Sequence, residues 1–218
     1  MMMDKPQAAI FDLDGTLVDS LPGIARALNA ALGEFSLRTW PQKTVVNFIG
    51  NGSWQLARLA IPTDALDALA NKVESAFKHF YAEMWRDGTS PYPGVIKLLE
   101  DCVTTGFPVA VLSNKPHDFT CEIVSALFPD IPFAEVRGQQ DNSPKKPDPT
   151  SALAIAKRWK LSPEKIAYVG DSDVDLATAQ NAGMQPVIVG WGYNTPEAEL
   201  RQLGMSPLQN VGDFREVF

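Results

Sequence analysis

From residue 92 onward the chain alternates short apolar runs with segments of helical periodicity, and this alternation restricts its possible folds more than any other feature. Residues 94–105, 116–128, 148–159, 174–182 and 195–203 carry apolar positions at helical spacing, and residues 108–112, 133–136, 166–169 and 186–189 read as short strands between them. Strands separated by helices pair in parallel, because the helix carries the chain back to the starting end of the sheet. Ala8-Ala9-Ile10-Phe11 adds one more buried strand, too brief for a helix and stopped by the turn at Gly15. The expected fold is α/β, a doubly wound parallel sheet with a Rossmann-like core.

Between that first strand and residue 89 there is no strand pattern. Leu21, Ile24, Ala25, Leu28, Ala31 and Leu32 recur at helical spacing, with Ser20 expected as N-cap and Gly33 at the far end. A second helix is expected from about Ser53 and a long third one over 63–86, stopped by Gly88. Residues 20–88 therefore read as an inserted all-helical domain, with 1–19 and 89–218 forming the core. Trp54, Phe77, Phe80 and Trp85 in the insertion read as core packing rather than as ligand contacts. Residues 205–218 carry no pattern.

A length of 218 residues suits one domain with a large insertion. The net charge of −7 and the absence of Lys/Arg runs argue against a nucleic-acid partner, which needs a basic face. No apolar stretch is long enough to span a bilayer, and the first six residues lack the hydrophobic region of a signal peptide. A cytoplasmic protein without a membrane partner is expected. Cys102 and Cys121 are expected as buried, reduced thiols, and His79 and His117 as isolated residues, neither of them a catalytic base.

In an open parallel sheet, ligands bind outside the carboxyl ends of the strands. Asp12 and Asp14 follow the first strand, and pleat alternation would turn them to the same side. Two carboxylates in one small site repel each other, and a hard divalent cation such as magnesium, which takes carboxylate oxygens together with substrate phosphate, offsets that repulsion. Ser113, Asn114 and Lys115 follow the second strand and bring hydroxyl and amide donors for phosphate oxygens. An acidic loop, 170–175, follows the fourth strand, and the basic Lys145-Lys146-Pro147 lies between. Singly, these read as a turn residue, a capped acidic turn and a solvated charge pair. At one sheet edge they are the components of a magnesium phosphoryl-transfer site.

Asp12, Asp14, Gly15 and Thr16 resemble the Asp-x-Asp-Gly-Thr motif of the haloacid dehalogenase superfamily, and the later loops follow that superfamily's motif order. Ser113 is similar to the second motif's hydroxyl, and Lys146, directly before Pro147, to the third motif's lysine, with Lys145 the alternative register. Asp171 and Asp175 match its Gly-Asp-Ser-x-x-Asp form. Residues 49–52, 91–95 and 113–116 resemble the phosphoglycolate phosphatase branch, and 20–88 the family's helical cap.

This resemblance implies a phosphatase for a small phosphate monoester, phosphoglycolate-like, acting through an aspartyl phosphate on Asp12, with Asp14 as acid and then base. It implies Mg2+ on Asp12, Asp171 and the Asp14 carbonyl, supported from behind by Asp175 and Thr16. Ser113, Lys146 and backbone N–H groups near Leu13 and Asn114 would hold phosphoryl oxygens, and Gly50, Asn51 and Gly52 would face the substrate. Val46 stands where relatives often carry an arginine, which leaves Lys43 or Arg58 as cations for a carboxylated substrate. A monomer or weak homodimer is expected. The alternatives are a sugar phosphate mutase of the same superfamily and a non-catalytic phospho-receiver protein.

Overall fold

The computed structural model describes residues 5–141 and 143–218. The chain runs β1 (Ala8–Phe11), β2 (Val18–Asp19), α1 (Leu21–Glu34), α2 (Gln42–Val45), α3 (Ser53–Ala60), α4 (Asp67–Met84) and β3 (Ser90–Pro91). It continues through α5 (Val95–Thr104), β4 (Val109–Pro116), α6 (His117–Leu127), β5 (Glu135–Gln139) and α7 (Thr150–Trp159). The last elements are β6 (Ile166–Gly170), α8 (Asp173–Ala182), β7 (Gln185–Ile188), α9 (Glu197–Gln202) and α10 (Phe214–Val217).

Five strands form a parallel sheet in the order β5-β4-β1-β6-β7. All four residues of β1 are buried because helices cover both faces. Its alternating side chains divide between them: Ala9 and Phe11 pack with Leu99 of α5 and Ile123 of α6, whereas Ala8 and Ile10 pack with Ile155 of α7 and Ala179 of α8. The strand order reverses around β1, with β4 and β5 on one side and β6 and β7 on the other. This reversal opens a crevice at the carboxyl ends of the central strands.

Every element between β2 and β3 is helical. Antiparallel β2 and β3 pair Val18 with Pro91 and Asp19 with Ser90, so the chain leaves and re-enters the sheet layer side by side. Gly88 does not end the long helix. That helix ends at Met84 and tightens into a 3-10 turn, Trp85–Gly88. Gly88 is bare because a Cβ there would strike the backbone of Gly23 in α1. Gly33 likewise lies inside α1, whose reversal comes at Ser36 with φ 53°.

Two further expectations shift. The third sheet strand is Glu135–Gln139 rather than 133–136, because Phe133 turns edge-on to Phe128 (centroids 6.1 Å apart) and plugs the loop before the strand. As an edge strand, β5 tolerates charge: Glu135 pairs with Arg137 at 2.6 Å and Arg158 at 3.2 Å. The patternless tail supplies Phe214, 1% exposed, which meets Phe11 edge-on at 6.1 Å and closes that face of the sheet. Four residues are too few for periodicity to reveal such a helix.

Cys102 and Cys121 are free thiols, and Cys102 is buried. Cys121 is only half-buried, and its Sγ lies 3.6 Å from a ring nitrogen of His117, one turn earlier on α6, so that histidine is not isolated. Among the described residues, no helix is long and apolar enough to cross a membrane.

Candidate active site

Strand β1 stops at Phe11, so the pleat does not align Asp12 with Asp14; the turn after the strand brings them together. The Asp12 amide donates to the Val169 carbonyl of β6 at 2.8 Å, and the amides of Leu17 and Val18 both donate to the Leu13 carbonyl at 3.0 Å. Gly15, at φ +80°, allows this reversal, and a Cβ there would overlap the Asp171 carboxylate. Both aspartates line one cavity between the sheet edge and α3 and α4.

Asp12, Asp171 and Asp175 are buried and offer carboxylate oxygens within 4.8 Å of one another. One ammonium stands among them: Lys146 Nζ lies 3.0 Å from Asp12 Oδ1 and 2.7 Å from Asp175 Oδ1. Burial, opposed by Lys146 and reinforced by Asp175 and Asp14, pushes Asp12 up to about 6. Burial, then the Asp175 and Asp12 carboxylates, pushes Asp171 up to about 8. Three carboxylates against one ammonium leave a formal charge of −2, with hard oxygen donors close together, and a divalent cation such as Mg2+ fits that deficit.

Asp175 is already engaged. Its Oδ2 receives the amides of Asp171 and Ser172 at 3.2 Å and the Ser172 hydroxyl at 2.6 Å, in a capping box at the start of α8. It braces the loop and Lys146, whereas Asp12 takes its bonds at Oδ1 and Asp171 at Oδ2. Thr16 is buried, but its Oγ1 has no hydrogen-bond partner among the described residues. Its carbonyl instead receives Trp191 Nε1 at 3.2 Å.

Asp14 faces a different partner. Lys115 Nζ lies 3.0 Å from both of its oxygens, and the Ser20 hydroxyl donates to Asp14 Oδ1 at 2.5 Å. Burial works against charge on Lys115, but the Asp14 carboxylate and the Tyr81 phenol outweigh it and leave its pKa raised. Ser20 occupies the N-cap position expected for it, yet it makes no side-chain cap. The Tyr193 hydroxyl takes over that task, accepting from the amides of Ser20 (2.7 Å) and Leu21 (2.9 Å) and donating to Asp19 Oδ1 (2.9 Å). The sequence places Lys115 after the second strand but does not show its pairing with Asp14, and it does not single out Tyr193. The lysine stands beside Ser113 and Asn114 on β4, and the tyrosine follows β7.

Strand β4 runs through Ser113, Asn114 and Lys115 to Pro116, with a register irregularity after Leu112, so these residues extend the strand instead of following it. Ser113 lines the cavity. Asn114 acts through its side chain: Nδ2 donates to the carbonyls of Gly50 (3.0 Å) and Lys146 (3.1 Å), and Oδ1 accepts from the Lys146 amide (2.9 Å). The Leu13 amide donates to Asp12 Oδ1 at 2.7 Å. Lys145 turns away from the acidic cluster, and its Nζ reaches the Asn51 carbonyl at 3.1 Å. Gly50 and Gly52 line the cavity, whereas Asn51 is exposed and does not.

The helical block adds an apolar wall of Ile24, Ile49, Leu56, Phe77 and Tyr81. Phe77 thus serves the cavity as well as the core, while Trp54 is 38% exposed and donates to Asn71 at 2.8 Å. Lys43 and Arg58 do not line the cavity. Arg58 is held outside by Asp67 at 3.3 Å and by the carbonyls of Pro62 and Thr63, because α3 buries Leu56, Ala57 and Ala60 on its inner face.

The haloacid dehalogenase-like hydrolase family profile matches residues 9–189. A phosphoglycolate phosphatase from Psychrobacter arcticus is 34% identical, over 97% of this chain and 94% of its own length. That of Escherichia coli K12 is 33% identical, over 86% and 82%. The crystal structure of a predicted phosphoglycolate phosphatase from Haemophilus somnus superposes with a TM-score of 0.81 at 31% identity, covering 89% of both chains. A structure from Lactobacillus delbrueckii subsp. bulgaricus reaches 0.88 at 28% identity, covering 98% of both.

Proposed function

This chain belongs to the haloacid dehalogenase-like hydrolases, and from that premise we propose that it is a magnesium-dependent phosphatase hydrolysing a small, phosphoglycolate-like phosphate monoester. The observation that carries this reading is the imbalance of three buried carboxylates against Lys146 at the carboxyl ends of β1 and β6. Asp12 and Asp171 would hold Mg2+ together with the Asp14 carbonyl, and the bound ion would neutralise charge on the phosphate and on the acidic cluster.

In this mechanism an Asp12 oxygen attacks phosphorus, the ester P–O bond breaks, and Asp14 gives its proton to the departing alkoxide oxygen. Water then attacks the aspartyl phosphate, Asp14 takes the water proton, and inorganic phosphate leaves with the Asp12 carboxylate restored. Lys146, Ser113 and nearby backbone amides stabilise the phosphoryl oxygens. The Leu13 amide would exchange its bond to Asp12 Oδ1 for one to the phosphate. The helical block, 20–88, acts as a cap that excludes water and contacts the leaving group through its 49–52 loop. Asn114, bonded to both Gly50 and Lys146, supports this role because it couples the loop directly to the phosphoryl end.

The names of the relatives support phosphoglycolate as the first substrate to test. The experiment is phosphate release from 2-phosphoglycolate with and without magnesium, beside sugar and nucleoside monophosphates. Magnesium-dependent release of inorganic phosphate is expected. Return of the phosphoryl group to substrate would instead indicate a mutase.

A further inference from the structure

The cavity wall contributed by the helical block is apolar, and a carboxylate entering it loses hydration that only a cation or a set of donors can replace. Lys146 is committed to Asp12 and Asp175 at the phosphoryl end. Among the described residues lining the cavity, Lys115 is the sole lysine or arginine. Its ammonium lies 4.5 Å from the Tyr81 ring centroid, over the ring face. Tyr81 is itself fixed by stacking on Phe77 at 5.4 Å and by the edge of Phe119 at 5.1 Å. An aromatic cluster from α4 and α6 therefore sets where this cation can stand, on the cavity wall beside Asp14.

We propose that Lys115 is the specificity-determining residue that receives the carboxylate of an α-carboxy phosphate monoester, exchanging its ion pair with Asp14 for one with the substrate. The inference rests on the phosphatase reading above and deepens it by naming the residue that selects the substrate's carboxylate. It also explains how a chain with Val46 in place of a cap arginine, and with Arg58 turned outward, meets the substrate's charge: the cation comes from β4 of the core. The arriving carboxylate replaces Asp14 as partner of the buried ammonium, and Asp14 keeps the Ser20 hydroxyl. The exchange has a second effect, because an ammonium held bidentately by Asp14 must let go before that carboxyl can serve the leaving oxygen. A neutral leaving group gives Lys115 no reason to move.

The test compares kcat/KM for 2-phosphoglycolate and ethyl phosphate, two-carbon esters that differ in a carboxylate, in the wild type, Lys115→Met and Lys115→Arg. The wild type is expected to favour 2-phosphoglycolate by roughly a hundredfold, and Lys115→Met to shrink that ratio at least tenfold, mainly through KM, with Lys115→Arg retaining part of it; tenfold corresponds to about 1.4 kcal/mol. Equal losses for both substrates in Lys115→Met would overturn the proposal while leaving the phosphatase reading intact, and a wild type that hydrolyses neither would overturn both. Should the variants not fold, the wild type alone decides, through inhibition by phosphonoacetate and by ethylphosphonate. Tenfold tighter inhibition by phosphonoacetate supports the proposal, and equal inhibition refutes it.

Discussion

The Tyr193 amide donates to Asp171 Oδ2 at 2.6 Å, and through the same residue's hydroxyl that carboxylate is tied to the start of α1. A strap of residues after β7 thus spans the acidic cluster and the base of the helical block. Gly192, just before it, is bare because a Cβ would overlap Asp171 and the Gly15 carbonyl.

Replacing Tyr193 with phenylalanine removes the acceptor of the Ser20 amide and one of the two acceptors of the Leu21 amide, which keeps Asp19 Oδ1 at 3.2 Å. A stability loss of about 0.5–2 kcal/mol is expected, the range of a lost N-cap. Urea unfolding of Tyr193→Phe measures it, and an unchanged midpoint would show that water caps α1 equally well.

Asp12→Asn is expected to abolish turnover while the far-ultraviolet spectrum stays unchanged. Asp14→Asn is expected to slow hydrolysis by about 10²–10⁴, the usual worth of general acid–base catalysis. Steady-state phosphate release reads both, and full activity in either variant would remove its residue from the mechanism.

Loss of Lys146 would leave Asp12 and Asp175 buried without their ammonium. Breaking such a buried pair costs about 3–5 kcal/mol. Lys146→Met should lose stability on that scale in denaturant melts without magnesium. The loss should shrink when magnesium is added, since the ion supplies charge of the same sign.

Asp12 and Asp171 titrate above their ordinary 3.8, at about 6 and about 8, so between these limits the native state holds protons that the unfolded chain has released. Metal-free stability should therefore fall as pH rises through this window. Magnesium needs the ionised carboxylates, so its stabilisation should grow over the same range and its uptake should release protons. Thermal melts with and without magnesium at about pH 5.5 and about pH 8.5 test the sign, and a larger shift at the lower pH would contradict it.

The sheet was legible because β1, β6 and the first four residues of β4 are buried on both faces and so are apolar, whereas the edge strand β5 mixes Glu135 and Arg137 with Val136, and the apolar Phe133 lies just before it. The acidic residues were legible because Asp12 and Asp171 stand directly after the ends of β1 and β6, and Asp175 lies in the first turn of α8 just beyond, where topology brings them together. Lys115 and Tyr193 were not, since their importance comes from partners about a hundred or more positions away, Asp14 and Ser20, and no local spacing encodes such a contact. Ser20 shows the converse: a residue type suited to N-capping was drawn off by a carboxylate that only the tertiary fold supplies.

The side-by-side pairing of β2 with β3 also bears on how this architecture can vary. Paired antiparallel residues hold the two ends of the helical segment only about 5 Å apart at the Cα atoms. An insertion whose ends already meet adds little closure entropy to the sheet that carries it, and that cost rises only about 0.6 kcal/mol per doubling of length. The β2–β3 junction can therefore accept inserts of very different size while the strand ends that carry Asp12 and Asp171 keep their register, so the apolar wall of the cavity can vary without disturbing the acidic cluster.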